Sequence, residues 1–475
     1  MTNFRNRVGQ RRGVGCADGW GAAGPYVCGA ILCGLVSVAT LSSAATPDEE
    51  ARAQAQQAFK EQRYQDVLDR LKGLSLAEAS SGEVRRLRSR AYVGLNKPKE
   101  AFEEYEQLAA AQSKDDEALL QEVAFQFIAV MFKDMRDQMR GASYSAAKEL
   151  ESDAMVPYLE DGLSDGSGLV RALAAEALSL LPKGRQSERL RKAMDDDAAM
   201  VRANVVRAVG FEPSRKEIPL LEHALTDEQP LVRVQAMGAL LRFGRKEMWE
   251  KLAAAADAAN PEARATALRV IGELKDVRGL PLAIARAKDP MPSVRGGAAA
   301  ALGLLGKKEG LDALTLLVHD KIPAVRSSAA VALGELETRE VVPILKQALE
   351  DADPGVRGAA VDSLLRLDEP FPDVEPTVRR LMLAQDPGPR SAVGKALARG
   401  RGRNRKAALA YLEQLIHDTL PRPRIAAARS LGRIGGREHI LDLKELLKDQ
   451  DPAVQATAAG ALIRILRGQA GAGTA

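Results

Sequence analysis

An arginine that returns at a fixed interval constrains this chain more than any other feature. It stands at Arg171, Arg202, Arg233, Arg264, Arg295, Arg326 and Arg357, each 31 residues after the last. Steps of 33 and 34 lead on to Arg390 and Arg424, and a further 31 to Gln455, where the surrounding pattern survives without the arginine. About ten units result. Each is too short to bury an apolar face alone, so neighbours must stack to build a shared core. A length of 475 residues would otherwise suggest about three domains; the repeat makes most of it one array.

Each unit carries its own start signal. Proline stands three residues before the arginine at Pro230, Pro261, Pro292, Pro323, Pro354, Pro387, Pro421 and Pro452. Its missing amide and preset φ suit the first helical position and no later one. Asp353, Asp386, Asp451 and Asn260 precede it as helix caps. Beyond the arginine, apolar or small residues fall at helical spacing, as in Val356, Ala360, Leu364 and Leu367. A second amphipathic segment precedes each such helix, as at 342–349 and 440–447. Gly210, Gly244, Gly306 and Gly435 are expected to close the helices in the left-handed region. The pattern predicts an all-α protein, an α-α superhelix of helix pairs drawn out as a curved rod about 100 Å in contour.

The segment Asp320 to Leu333 reads Asp-x-x-Pro-x-Val-Arg-x-x-Ala-x-x-Ala-Leu, and in this it resembles the HEAT repeats of the phycobilisome-lyase-like type. The resemblance covers 152–467 and implies a HEAT-repeat solenoid. Ala258 and Ala384 replace the turn aspartate, and Pro389 replaces the valine, so the pattern departs there. The aspartate six before the arginine recurs at Asp165, Asp196, Asp227, Asp289, Asp320, Asp351, Asp418 and Asp449. In HEAT arrays such Asp and Arg groups resemble a ladder between neighbouring turns, so they read as stacking devices. As exposed pairs they would contribute about 0–1 kcal/mol each.

Residues 1–45 have another composition. Arg5, Arg7, Arg11 and Arg12 precede an apolar run at 27–39, followed by Ser43-Ala44-Ala45. This is the signature of an export signal peptide, with an apolar core shorter than the ~20 residues of a membrane span. Leu32 is too bulky for a lipoprotein signal at Cys33, and the residues after Arg11-Arg12 lack the twin-arginine pattern. The expectation is an exported chain, periplasmic or associated with the cell envelope, with no integral span once mature. Cys16, Cys28 and Cys33 all lie in this leader, leaving no cysteine chemistry in 46–475. The leader carries +3 of the formal net charge of +4, so the remaining +1 gives no global case for binding nucleic acid.

Residues 46–114 read as helix pairs of another kind. The stretch 87–108 resembles a tetratricopeptide repeat, with Tyr92, Leu95, Ala101 and Tyr105 in matching places and Ser89 where glycine is usual. A fainter copy precedes it, with Tyr64, Val67 and Leu71 in phase. Residues 115–151 are expected as junction helices, the first running from Asp115 to Arg140. Its Phe125, Phe127, Met131, Phe132, Met135 and Met139 read as core packing, since methionine fills irregular gaps. Residues 468–475 read as a flexible tail.

Reactive chemistry is scarce. The imidazoles are His223, His319, His417 and His439. His319 and His417 hold the same place three repeats apart, too distant to share an ion. The hydroxylase branch of the repeat family carries paired His-Glu dipeptides around a di-iron centre. This chain has none: Glu222-His223 and Glu438-His439 run in the opposite order. Phosphate-binding, zinc-protease and nucleophile-elbow motifs are absent. No catalytic, cofactor or metal residues are therefore expected.

One feature departs from the periodic pattern. Positions five and nine after the arginine should face the inner wall of the array. In early units they are mixed, including Glu176, Arg207, Gly238, Glu273, Ala300 and Glu335; in late units they are Arg366, Lys395, Arg399, Arg429, Arg433 and Arg464. The loop 399–406 adds more cations. These six are the candidate partner-binding residues, and they imply a protein partner of acidic character or an envelope polyanion. The expected function is a non-catalytic interaction scaffold. The alternatives are a HEAT-like nucleic-acid-binding or base-excision protein, and a lyase-like or hydroxylase-like HEAT enzyme.

Overall fold

The computed structural model describes residues 46–468 apart from 151 and 212–214. The leader, its three cysteines and most of the tail lie outside the described residues. The described residues from Pro47 onward form one compact unit. Among the described residues every regular element is a helix.

The local signals act as their chemistry dictates. All eight prolines of the repeat are the first residues of helices, from Pro230–Arg242 to Pro452–Leu466. Asp353, Asp386, Asp451 and Asn260 each accept a bond from the free amides of the first turn. The glycine caps divide. Gly244 and Gly306 are left-handed, with φ of 84° and 61°, whereas Gly210 and Gly435 have φ of −77° and −69°. At Gly210 the requirement is space, because a Cβ would run into Ala239 of the next unit.

That close approach is itself periodic. A Cβ on Gly272 would meet Ala301, on Gly303 Ala332, on Gly334 Ser363, and on Gly432 Ala461. In each pair the glycine stands eight residues after the arginine and its neighbour six after the next one. The second helices of successive units therefore pack nearly backbone to backbone, while the first helices pack mainly on their own partners. The second helices are thus the inner course of the curve. Their buried Ala, Val and Leu, with those of the first helices, form one continuous core from Ala101 to Leu466. The helices Pro47–Lys60, Tyr64–Leu71 and Gly82–Gly94 share a smaller core of their own.

On the turn side, the arginine of one unit grips the aspartate of the next through Nε and Nη2, at 2.6–3.0 Å. The pairs are Arg171–Asp196, Arg202–Asp227, Arg264–Asp289, Arg295–Asp320, Arg326–Asp351, Arg390–Asp418 and Arg424–Asp449. The third nitrogen, Nη1, donates to carbonyls of its own turn, as Arg295 does to Asp289 and Pro290. The expected exposed pairs are in fact mostly buried: the Arg264 and Asp289 side chains retain 10% and 1% of their exposure. Bidentate geometry and burial make the ladder structural rather than incidental.

The ladder begins one unit earlier than the sequence suggested. Arg140 binds Asp165 at 2.6 and 2.9 Å, 31 residues before the Arg171–Asp196 rung. The expected helix from Asp115 to Arg140 is broken into Glu117–Ala129, a 3₁₀ turn at Val130–Lys133 and Asp137–Leu150. Asp134 is the turn aspartate of this unit, and Arg136 holds it through side chain and amide, drawing its pKa down to about 2. Asp137 stands where later units have proline, which hides the start signal. Of the aromatic and methionine residues here, Phe127, Met131 and Phe132 are buried, but Met135 is 97% exposed.

The array also fails to end. The last helix, Pro452–Leu466, packs against both Glu117–Ala129 and Asp137–Leu150. A Cβ on Gly460 would be in ordinary contact with the Ala146 carbonyl, 3.7 Å away, so the packing here is close without requiring glycine. The expected curved rod is instead a closed course of second helices, its last apolar face packed against its first.

Candidate functional site

The six inner-wall cations fall into two linked clusters. Arg366 and Arg399 approach the Asp362 carboxylate at 4.0 and 3.3 Å. Burial pushes the Asp362 carboxyl up despite Arg399 and Arg366, and it pushes Glu335 up against the same two arginines. Lys395 lies between the clusters; burial lowers its ammonium, and Arg429 and Arg422 lower it further.

The second cluster gathers at the seam where the course closes. Arg433 binds the Glu149 carboxylate at 2.7 and 2.9 Å, Arg429 stands 3.7 Å from it, and Arg464 donates to the Glu149 carbonyl at 3.2 Å. These groups line a cleft with about 20 Å³ of free space, together with Gly432 and Gly460. The Nε atoms of Arg366, Arg429 and Arg464 are buried with no hydrogen-bond partner. Arg429 shares the Glu149 carboxylate with Arg433, whereas Arg464 holds the Glu149 main chain.

Asp362 and Glu149 were not singled out in the sequence. Asp362 was legible, being five after Arg357; Glu149 becomes so only once Arg140 is known to start a unit, since it stands nine after it.

Further pairs fasten the seam with acids on one side and bases on the other. Arg437 binds Glu117 through two bonds of 2.8 Å. Lys444 binds Asp115 at 2.9 Å and Lys448 binds Glu106 at 2.8 Å. Lys444 also stands over the Tyr105 ring, 5.2 Å from its centroid.

His439 is buried, its Nε2 3.2 Å from Glu413. Among the described residues no three His, Cys, Asp or Glu side chains come together in a way that could hold a metal ion, and no helix is long and apolar enough to cross a membrane.

The sequence model for HEAT repeats matches residues 249–330, 311–398 and 409–472. No curated protein matches. Among solved structures, human deoxyhypusine hydroxylase in complex with glycerol is similar at 21% identity, covering 53% of this chain and 96% of its own, with a TM-score of 0.25. An engineered protein is similar at 17% identity over 72% of this chain and 98% of its own, with a TM-score of 0.27. The structure of Kap95p with RanGDP is similar at 10% identity over 86% of this chain and 64% of that one, with a TM-score of 0.36. Likenesses this distant carry no functional argument. The repeat match and the observed architecture establish an all-α superhelical fold that carries HEAT repeats.

Proposed function

We propose that this protein is an exported, non-catalytic interaction scaffold whose inner wall holds an acidic segment of a partner protein in the cell envelope. The observation that carries the reading is the one-sided arc of Arg366, Lys395, Arg399, Arg429, Arg433 and Arg464, three of whose Nε atoms are buried without a partner. HEAT repeats generally mediate protein interactions, and a wall rich in guanidinium groups suits carboxylates, which accept its planar fork. Export rests on the leader signature. The same reading takes the repeats as phycobilisome-lyase-like and the helices before Lys114 as tetratricopeptide-like.

The test is proximity labelling in the native envelope, with N-terminal sequencing of the purified chain. The expected results are a mature terminus near Thr46 and an envelope protein whose labelling falls when Lys395 and Arg399 are both changed to Gln. A retained Met1, labelling unaffected by those changes, or enrichment of nucleic acid in place of protein would each overturn the proposal.

A further inference from the structure

At the seam, Arg429, Arg433 and Arg464 converge on Glu149, which reaches them from the other end of the array. The three cations do not depend on closure for their own arrangement. They sit on Pro421–Ile434 and Pro452–Leu466, which pack on each other like any two neighbouring second helices. Of the residues in this cluster, Glu149, on Asp137–Leu150, comes from across the seam. The site is therefore a cationic triad built by one end of the chain, with Glu149 from the other end seated in it, its carboxylate on Arg433 and Arg429 and its main-chain carbonyl on Arg464. The cleft beside it is lined in part by the small residues Gly432, Gly460 and Ala461, and the buried Nε atoms of Arg429 and Arg464 have no hydrogen-bond partner.

We infer that this triad is a binding site for a carboxylate side chain of an acidic peptide, and that Glu149 is its resident occupant, displaced when the peptide enters. The occupant indicates the ligand chemistry. Arg433 holds both oxygens of a carboxylate, and a second carboxylate could take the Nε groups that Glu149 leaves unbound. Because Glu149 also belongs to the seam, displacement couples occupation of the inner wall to loosening of the closure. The inference rests on the reading of the inner wall as a surface for acidic segments. Its test separates the two, since Lys395 and Arg399 belong to that reading and Glu149 to this one.

The experiment measures binding of fluorescent hexaglutamate to the full chain by anisotropy, with folding checked by circular dichroism. Glu149→Gln removes the competitor and is expected to tighten binding roughly two- to fivefold, the worth of one partly exposed ion pair. Glu149→Asp, with a shorter arm and the same charge, is expected to fall between it and wild type and guards against misfolding of the first variant. Arg429→Gln with Arg464→Gln should abolish the gain, whereas Glu117→Gln, a seam change outside the cleft, should leave affinity unaltered. Equal affinity of wild type and Glu149→Gln overturns the displacement, and so does no binding by Glu149→Gln at millimolar peptide. Preference for short-chain polyphosphate over hexaglutamate overturns the assignment to carboxylate.

Discussion

Arg433 and Glu149 are 284 residues apart in the chain and 2.7 Å apart in the fold. This contact belongs to a seam that converts a repeat array with two ends into a closed course of helices. Arg437–Glu117, Lys444–Asp115 and Lys448–Glu106 extend it. Reversing Arg433, Arg437, Lys444 and Lys448 together to Glu places like charges across all four contacts. The expected outcome is a larger radius of gyration in solution X-ray scattering, with helical content by circular dichroism unchanged. Wild type at 1 M NaCl should move the same way but less, because salt screens the exposed pairs and leaves the apolar face of Pro452–Leu466 in place.

The Arg264–Asp289 rung is the most enclosed of the ladder. Asp289→Ala leaves a buried guanidinium without its carboxylate, which costs about 3 kcal/mol. Urea unfolding should show that loss, provided the array unfolds as one cooperative transition. The same change at exposed Asp197 should cost well under 1 kcal/mol.

Acid should dissolve the ladder. In Asp165, Asp196, Asp227, Asp289 and Asp418 burial pushes the carboxyl up, but the arginine and a backbone amide outweigh it and the pKa is lowered. In Asp320 and Asp351 the arginine bond is the larger influence and the shift has the same direction. A carboxyl with a lowered folded pKa contributes stability above its unfolded value, near 3.8, and loses it as pH falls through the folded value. Tm should therefore be nearly flat from pH 7 to about 5 and fall below about 4. The gap between wild type and Asp289→Asn should narrow over that fall, as protonation makes the two alike.

Where the ladder is interrupted it should be repairable. Arg357 keeps its bonds to the Asp351 and Ala352 carbonyls, but Ala384 offers it no carboxylate and its Nε is buried unpartnered. Burial lowers its pKa, and the nearby Arg380 adds to the effect. Ala384→Asp supplies the missing group at the ladder position, and a gain of about 1 kcal/mol is expected. Thermal unfolding would show a higher Tm. An unchanged or lower value would mean that the 33-residue step has moved the turn out of reach.

The backbone contact at Gly303 should be intolerant of bulk. A Cβ there would stand 2.8 Å from the Cα of Ala332, so Gly303→Val must push two inner helices apart, at a cost of about 1–3 kcal/mol. Gly244, with open space around it and a positive φ, should lose stability through backbone strain alone. Comparing Gly303→Val and Gly244→Ala in the same unfolding assay separates the two causes.

The sequence by itself determined the helix pairs, their prolines and caps, the period, and the gathering of cations at 366, 395, 399, 429, 433 and 464. Each of these depends on residues within about one repeat of each other, where helical geometry fixes which side chains share a face. It hid the unit that begins at Arg140, because Asp137 and Met139 replace both the proline and the valine before the arginine and the 3₁₀ turn after Ala129 is unmarked. It also left Glu149 unnoticed among the cations. Tertiary structure alone decided that the array closes. Closure depends on the small rotation between successive units summed over the whole course, with glycines such as Gly303 and Gly432 setting how closely neighbouring helices approach. Neither quantity can be read from any single repeat, yet together they bring Glu149 to Arg433.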